Sequence, residues 1–294
     1  MTPYLRLLRP KQWVKNLFLF AALIFSHHLF ATAYLLLSIK AFVVFCFVSS
    51  AAYVLNDVVD VDADRLHPIK RNRPIASNAV SPRNAIFFGL LLLGIAAALS
   101  SSLPREFAFA VAVYVAFNVG YTFGLKRVVL VDVFIIGAGF LIRVVAGAYA
   151  INVEVSHWLI LCTLFISLFL AVSKRRAELL LNELTASQSG RAVLKDYDVH
   201  FVDQMMTIVA SGTVISYALY SVAERTVLMF GTENLVFTTV FVLFGTFRYL
   251  FLVQHHTTED NPTALLLSDP PMLVNIALWF ITCVGIIYGG SASR

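Results

Sequence analysis

An all-α polytopic membrane fold, with about nine transmembrane helices in a bundle, is predicted by three features of the sequence. Hydrophobic residues make up 59% of the chain and charged residues 13%, the mean hydropathy is +0.81, and apolar runs recur from end to end. A soluble domain of 294 residues needs far more polar surface, so lipid is the solvent for most of the chain. Since ~20 apolar residues cross ~30 Å of hydrocarbon, little is left for a separate soluble domain. Residues 1–294 read as one transmembrane domain.

The apolar runs fall at about 16–36, 39–57, 84–103, 107–125, 128–150, 155–173, 205–224, 230–253 and 271–289. Ser26, His27 and His28 interrupt the first. The N-terminus is basic and then apolar, but no small-residue cleavage site closes that run, so it reads as a retained first helix. Residues 4–15 mix basic and bulky apolar side chains, which suits a short interfacial segment ahead of it. Cys46, Cys162 and Cys283 lie far apart in apolar runs and read as small buried hydrophobes. The seven histidines show no zinc-like spacing.

Charge sets the sidedness. With a cytoplasmic N-terminus, the inner segments hold sixteen of the 22 basic residues, from Arg6, Arg9, Lys11 and Lys15 to Arg191 and Lys195. Lys40, Arg105, Arg225 and Arg294 fall outside, and Arg143 and Arg248 lie within spans. This positive-inside bias predicts a cytoplasmic N-terminus and a C-terminus outside. It places both polar loops, 58–83 and 174–204, in the cytoplasm.

The stretch Asn56-Asp57-Val58-Val59-Asp60-Val61-Asp62-Ala63-Asp64 ends the second run. On a helix, Asp57, Asp60 and Asp64 share one stripe, with Asn56 one step round; Asp62 points elsewhere into solvent. Like charges stacked at a membrane boundary repel unless a cation lies between them. Hard oxygen ligands without His or Cys select Mg²⁺, with Asn56, Asp57, Asp60 and Asp64 as the ligand set. Lys70-Arg71-Asn72-Arg73-Pro74 follows at once. Carboxylates for a metal, then cations for the oxygens the metal leaves free, is a pattern suited to a metal-bridged diphosphate. Tyr121 and Lys126, with Asn118 one turn earlier, are candidate diphosphate contacts; otherwise Tyr121 is an interface aromatic and Lys126 an ordinary inner cation. Asp57 and Asp60 are expected to be catalytic.

These residues resemble the UbiA-type intramembrane prenyltransferase superfamily, whose first signature is Asn-Asp-x-x-Asp-x-x-x-Asp followed by a basic Arg-Pro segment, here Asn56, Asp57, Asp60, Asp64, Lys70, Arg73 and Pro74. The resemblance implies a helical bundle around a central cavity open to the cytoplasm and laterally to lipid, with Mg²⁺ activating a diphosphate leaving group. Members normally carry a second aspartate-rich motif after the sixth span. Here that loop reads Ser173-Lys174-Arg175-Arg176-Ala177-Glu178-Leu179 and then Arg191 and Lys195-Asp196-Tyr197-Asp198, which is largely basic. The departure is similar to the polyprenyl-phosphate phosphoribosyltransferase branch, as are Leu8-Arg9-Pro10-Lys11-Gln12-Trp13-Val14-Lys15-Asn16 and Phe247-Arg248-Tyr249-Leu250 with Asp269-Pro270-Pro271.

That branch moves 5-phosphoribose from phosphoribosyl diphosphate to a polyprenyl phosphate. The resemblance therefore implies these two partners, besides membrane lipids, and no nucleic acid; a homo-oligomer is left open. The extra phosphate of such a donor calls for additional cations, which Lys174 (expected to be catalytic), Arg175 and Arg191 supply beside Lys70, Arg73 and Lys126. Lys15 and Tyr197 are further substrate-binding candidates. Glu178 either pairs with Lys174 or orients ribose hydroxyls. Arg143 and Arg248, costly inside spans, either meet the lipid phosphate or are structural. An anionic acceptor needs no strong general base, unlike the aromatic acceptor of an ordinary prenyltransferase, which is the competing reading.

Overall fold

The computed structural model describes residues 2–67, 69–185, 192–255 and 268–289. Among the described residues every regular element is helical, and eight helices are long and apolar enough to cross a membrane. The chain divides into two compact units, residues 1–155 and 156–294.

The first unit opens with α1 (Pro3–Leu8). A tighter helix, Pro10–Leu19, runs on into α2 (Phe20–Phe25). Then come α3 (Thr32–Val59), the short α4 (Val61–Leu66), α5 (Pro82–Ser100), α6 (Arg105–Phe123) and α7 (Val131–Ala150). The middle of the unit is α3, a 28-residue helix whose Val44, Phe45 and Val48 pack against Phe107, Ala110 and Tyr114 of α6 and Ala146 and Ala150 of α7. Phe45 meets Phe107 and Tyr114 with ring centroids 5.9 and 5.4 Å apart. Pro82 opens α5, and the Ser81 side chain caps it by accepting from the Asn84 amide.

The first expected run, 16–36, takes a different register. Its crossing is made by residues 10–25, which lie along α3 in the opposite direction. At one end Arg9 contacts Asp57, near the C-terminus of α3. At the other, Ala22 and Leu23 pack against Ala148 and Ile151 and beside Tyr34 and Leu35, near the start of α3. At ~2.0 Å per residue in the tight helix and ~1.5 Å in α2, these residues cover about 29 Å, close to the ~30 Å of hydrocarbon. Residues 10–25 are thus long enough for a fifth crossing beside the unit's four membrane-length helices, and Lys11 and Lys15 fall within that stretch. Trp13 Nε1 donates to Ser50 Oγ (3.1 Å), and Asn16 Nδ2 to Ser49 Oγ (3.3 Å). These bonds tie the tight helix to α3.

The second unit comprises α8 (His157–Thr185), α9 (Val199–Val222), α10 (Glu224–Phe230), α11 (Thr239–His255) and α12 (Pro270–Gly289). The membrane-length stretch containing α11 starts at Asn234. Buried polar bonds join its helices. Tyr217 Oη lies 2.7 Å from Thr238 Oγ1 and accepts from Trp279 Nε1 at 3.0 Å. Arg176 donates to Asp203 Oδ1 (2.6 Å) and to the Val253 carbonyl (2.9 Å), so one side chain of α8 holds α9 and α11.

Gly147 of α7 is where the tight helix lies closest. A Cβ there would stand 2.1 Å from the Leu19 carbonyl oxygen, whereas one at Gly94 would meet nothing within 4 Å. Gly147→Ala should therefore cost about 1–3 kcal/mol and lower the thermal midpoint in detergent, while Gly94→Ala should be neutral or slightly stabilising.

Candidate active site

The acidic stripe sits where α3 gives way to α4. The helix breaks at Asp60, whose ψ is 10°, yet the hydrogen bonding carries through. The Asp60 amide donates to the Asn56 carbonyl (2.9 Å), and the Asp64 amide to the Asp60 carbonyl (2.8 Å). The expected common face therefore survives the break. One guanidinium proves it: Arg73 Nη1 lies 2.9 Å from Asp57 Oδ1 and 2.6 Å from Asp64 Oδ2. Asp62 is exposed and pairs with Arg65 at 3.2 Å, as its place off the stripe implies.

Each carboxylate of the stripe is matched by a cation. Asp57, 3% exposed, also accepts from Arg9 Nη2, at 2.5 and 2.6 Å to its two oxygens. Asp60 pairs with Lys126 at 2.6 Å, across from the end of α6. Burial pushes the Asp64 carboxyl above the ordinary carboxylate range, opposed by the charge and hydrogen bond of Arg73. Lys70 stands near enough to Asp64 to act on it electrostatically. Among the described residues no three His, Cys, Asp or Glu side chains are gathered at metal-holding separation; Arg9, Arg73 and Lys126 stand between the carboxylates. The donor chemistry nevertheless fits Mg²⁺, because only oxygen ligands are offered.

Arg9 is the residue that sequence reasoning missed. It lies 48 positions from Asp57, in the turn between α1 and the tight helix, with φ at 51°. The guanidinium also covers the Tyr53 ring at 5.0 Å. The Arg9-Pro10 pair inside a basic, apolar N-terminal stretch was the only available signal.

Below the stripe lies a second polar group. Arg143, buried in α7, donates from Nε to Asn16 Oδ1 (2.7 Å), from Nη1 to the Gly139 carbonyl (2.7 Å) and from Nη2 to Tyr114 Oη (2.8 Å). Lys15 lies within electrostatic reach of Arg143, Arg9, Tyr114 and Tyr121. Asn118 turns back on its own helix, donating to the Tyr114 carbonyl at 2.8 Å. The Asn56 side chain makes no hydrogen bond to the described residues, although its carbonyl holds Asp60.

The second unit holds the other candidates. Three consecutive cations in the second half of α8 diverge, as the ~100° helical step requires. Arg176 is the tie to α9 and α11, the fully buried Arg175 pairs with Glu178, and Lys174 is half-buried. Glu178, which the sequence offered as a partner for Lys174, accepts from Arg175, one position on. Tyr197 is buried and its ring stacks on Phe201 at 6.5 Å. Arg248 makes a two-pronged contact with Asp269, 3.0 and 2.8 Å. Asp269 in turn accepts from the Met272 amide at the start of α12. The two ends of one sequence motif are thereby joined. Arg191, and residues 256–267 of that same motif, lie outside the described residues.

The sequence profile of the UbiA prenyltransferase family matches residues 16–178. The chain is 39% identical over 220 residues to a protein named decaprenyl-phosphate phosphoribosyltransferase from Corynebacterium glutamicum, covering 74% of this chain and 66% of that one. It is 38% identical to one of the same name from Mycolicibacterium smegmatis, covering 74% and 69%. In fold it matches a UbiA homolog from Archaeoglobus fulgidus bound to GPP and Mg²⁺ with a TM-score of 0.73 at 18% identity, covering 97% of this chain and 99% of that one.

Arg73 serves two buried carboxylates at once. Arg73→Met should destabilise the first unit by about 1–3 kcal/mol, and adding Asp64→Asn should recover part of that loss. Thermal unfolding of the single and double variants measures the coupling.

Proposed function

The chain belongs to the UbiA prenyltransferase family, and from that premise we propose that it transfers 5-phosphoribose from phosphoribosyl diphosphate to a polyprenyl phosphate of decaprenyl type, releasing pyrophosphate. What carries the reading is the 38–39% identity to proteins named for that reaction, joined to the acid and cation network around Asp57. The positive-inside bias supports a site on the cytoplasmic face of a bacterial inner membrane.

In this reading Asp57, Asp60 and Asp64, with the Asn56 amide oxygen, hold Mg²⁺. When bound, the metal neutralises charge developing on the departing pyrophosphate. Arg9, Arg73 and Lys126 stand beside those carboxylates and supply N–H donors to the diphosphate oxygens, in company with Lys70 and Tyr121. The arginines suit a planar, two-oxygen grip and Lys126 a point charge. Lys174, Arg191 and Tyr197 of the second unit are carried over from the resemblance as substrate-binding candidates, and Arg175 pairs with Glu178. No general base is required, because the attacking phosphate oxygen is already an anion.

A prenyl diphosphate donor is the rival, favoured by the GPP-bound fold neighbour. Membranes containing the protein and polyprenyl phosphate should carry label from phosphoribosyl diphosphate into the lipid fraction. They should not carry label from a prenyl diphosphate onto an aromatic acceptor; the reverse pattern rejects the proposal. Asp57→Asn and Asp60→Asn should each lower transfer more than about a hundredfold with the protein still folded in the membrane. Removal of divalent ions by a chelator should do the same to the unaltered protein, with recovery on adding Mg²⁺.

A further inference from the structure

Two cations lie inside the first unit without an anionic partner. Arg143 engages three acceptors, the Asn16 amide oxygen, the Gly139 carbonyl and the Tyr114 hydroxyl. All three are neutral. The guanidinium also lies over the Tyr114 and Phe140 rings, 4.7 and 5.6 Å from their centroids, but it carries five N–H donors, so part of its donor set is unspent and its charge meets no carboxylate among the described residues. Lys15 has no hydrogen bond or ion pair among the described residues, and its nearest electrostatic neighbours include Arg143 and Arg9, which repel it. The Tyr53 hydroxyl likewise has no hydrogen-bond partner among the described residues. Lys15 and Tyr53 are both half-buried.

These groups are tied to the carboxylate stripe by α3 itself. Cys46, Ser50, Tyr53 and Asp57 follow one another at helical spacing on a single face. Asn16 bonds Ser49, Trp13 bonds Ser50, and Arg9 covers Tyr53 on its way to Asp57. Ser50 lies about 10 Å along the helix from Asp57, and Arg143 about 18 Å from the start of α7. The cations therefore stand below the stripe, in the depth of the membrane. A charged side chain there is costly unless something compensates it, and two together also repel.

We infer that Lys15, Arg143 and the Tyr53 hydroxyl form a second anion pocket, which holds a phosphomonoester dianion beneath the diphosphate. Two positive charges and several unspent N–H and O–H donors match a dianion with three terminal oxygens. The identification as a phosphomonoester rests on the proposed function, where two groups have that chemistry: the phosphate of the polyprenyl acceptor and the 5-phosphate of the donor ribose. The pocket itself does not depend on that reading.

Purified protein with Lys15→Met, Lys15→Arg and Tyr53→Phe separates the two sources, because Arg143 also braces the fold and is left intact. Binding of farnesyl phosphate, farnesol and ribose 5-phosphate is measured by calorimetry without donor or metal. The unaltered protein should bind one of the two phosphates and not farnesol, and Lys15→Met should weaken that binding about tenfold or more, with Lys15→Arg retaining most of it. Loss confined to farnesyl phosphate, with a raised KM for the lipid alone, assigns the pocket to the acceptor. Loss confined to ribose 5-phosphate, with a raised KM for the donor alone, assigns it to the 5-phosphate. If neither phosphate binds, or if Lys15→Met and Tyr53→Phe bind both as the unaltered protein does, the pocket is refuted. Phosphate binding that depends on Lys15 in a protein that transfers no ribose label would keep the pocket and reject the reaction.

Discussion

The contact on which the rest of the site depends is the sharing of Arg73 between Asp57 and Asp64. Two carboxylates seven residues apart on one face, brought to a single guanidinium, repel each other. A pair of unit charges at ~4 Å interacts by about 4 kcal/mol at an effective dielectric of 20. A guanidinium between them turns that repulsion into two attractions, and it does so while folding the loop after α4 back over the end of α3. Ile75 and Val80 beyond it then join Val54 and Ala85 in a small apolar cluster with Leu7 of α1. Thus one ion pair fixes the loop, the loop fixes the N-terminal helix, and that helix delivers Arg9 to Asp57.

The second unit spends its buried polar groups differently. Arg176, Tyr217 and Arg248 are tied to partners within that unit, and each joins elements far apart in sequence. In lipid, helices gain little from apolar contact with one another, so hydrogen bonds and close packing must hold them together. Gly212 illustrates the packing: a Cβ there would stand 2.4 Å from the Phe165 ring, so α8 and α9 meet closely because that position has no side chain.

Much of this was legible in the sequence, because membrane length and helical spacing are strict. Eight of the nine runs are long helices close to their expected places, and the stripe of Asp57, Asp60 and Asp64 kept its face even though the helix breaks at Asp60. Lys126 was named, and it reaches Asp60 across 66 residues of chain. The first run was displaced because hydropathy marks where a segment is apolar, not where it is in register. The polar Trp13–Asn16 edge is satisfied by serines of α3, so the crossing begins at Pro10 and ends by Phe25, before the histidines. Arg9 escaped notice for a related reason. Nothing local distinguishes it from Arg6 or Lys11; only the turn at φ 51° and the antiparallel course of the following helix carry it to Asp57.

Charge balance separates the two tiers of the first unit. In the upper one, Asp57, Asp60 and Asp64 are matched by Arg9, Arg73 and Lys126. A bare diphosphate added there would meet an already neutral network and would repel its carboxylates. It is accommodated only if it arrives with countercharge, which is the physical case for a divalent cation at this stripe and the reason acids belong in an anion-binding site at all. In the lower tier, Lys15 and Arg143 have no carboxylate against them among the described residues, so a phosphate at the inferred pocket would need no metal and would lower the cost of keeping two cations inside the membrane. In the proposed reading, then, the acids of α3 take a metal-borne group at the rim, while the cations beneath them take a metal-free one. Only about 10 Å of the same helix face separates Asp57 from Ser50, close to the reach of one phosphorylated sugar.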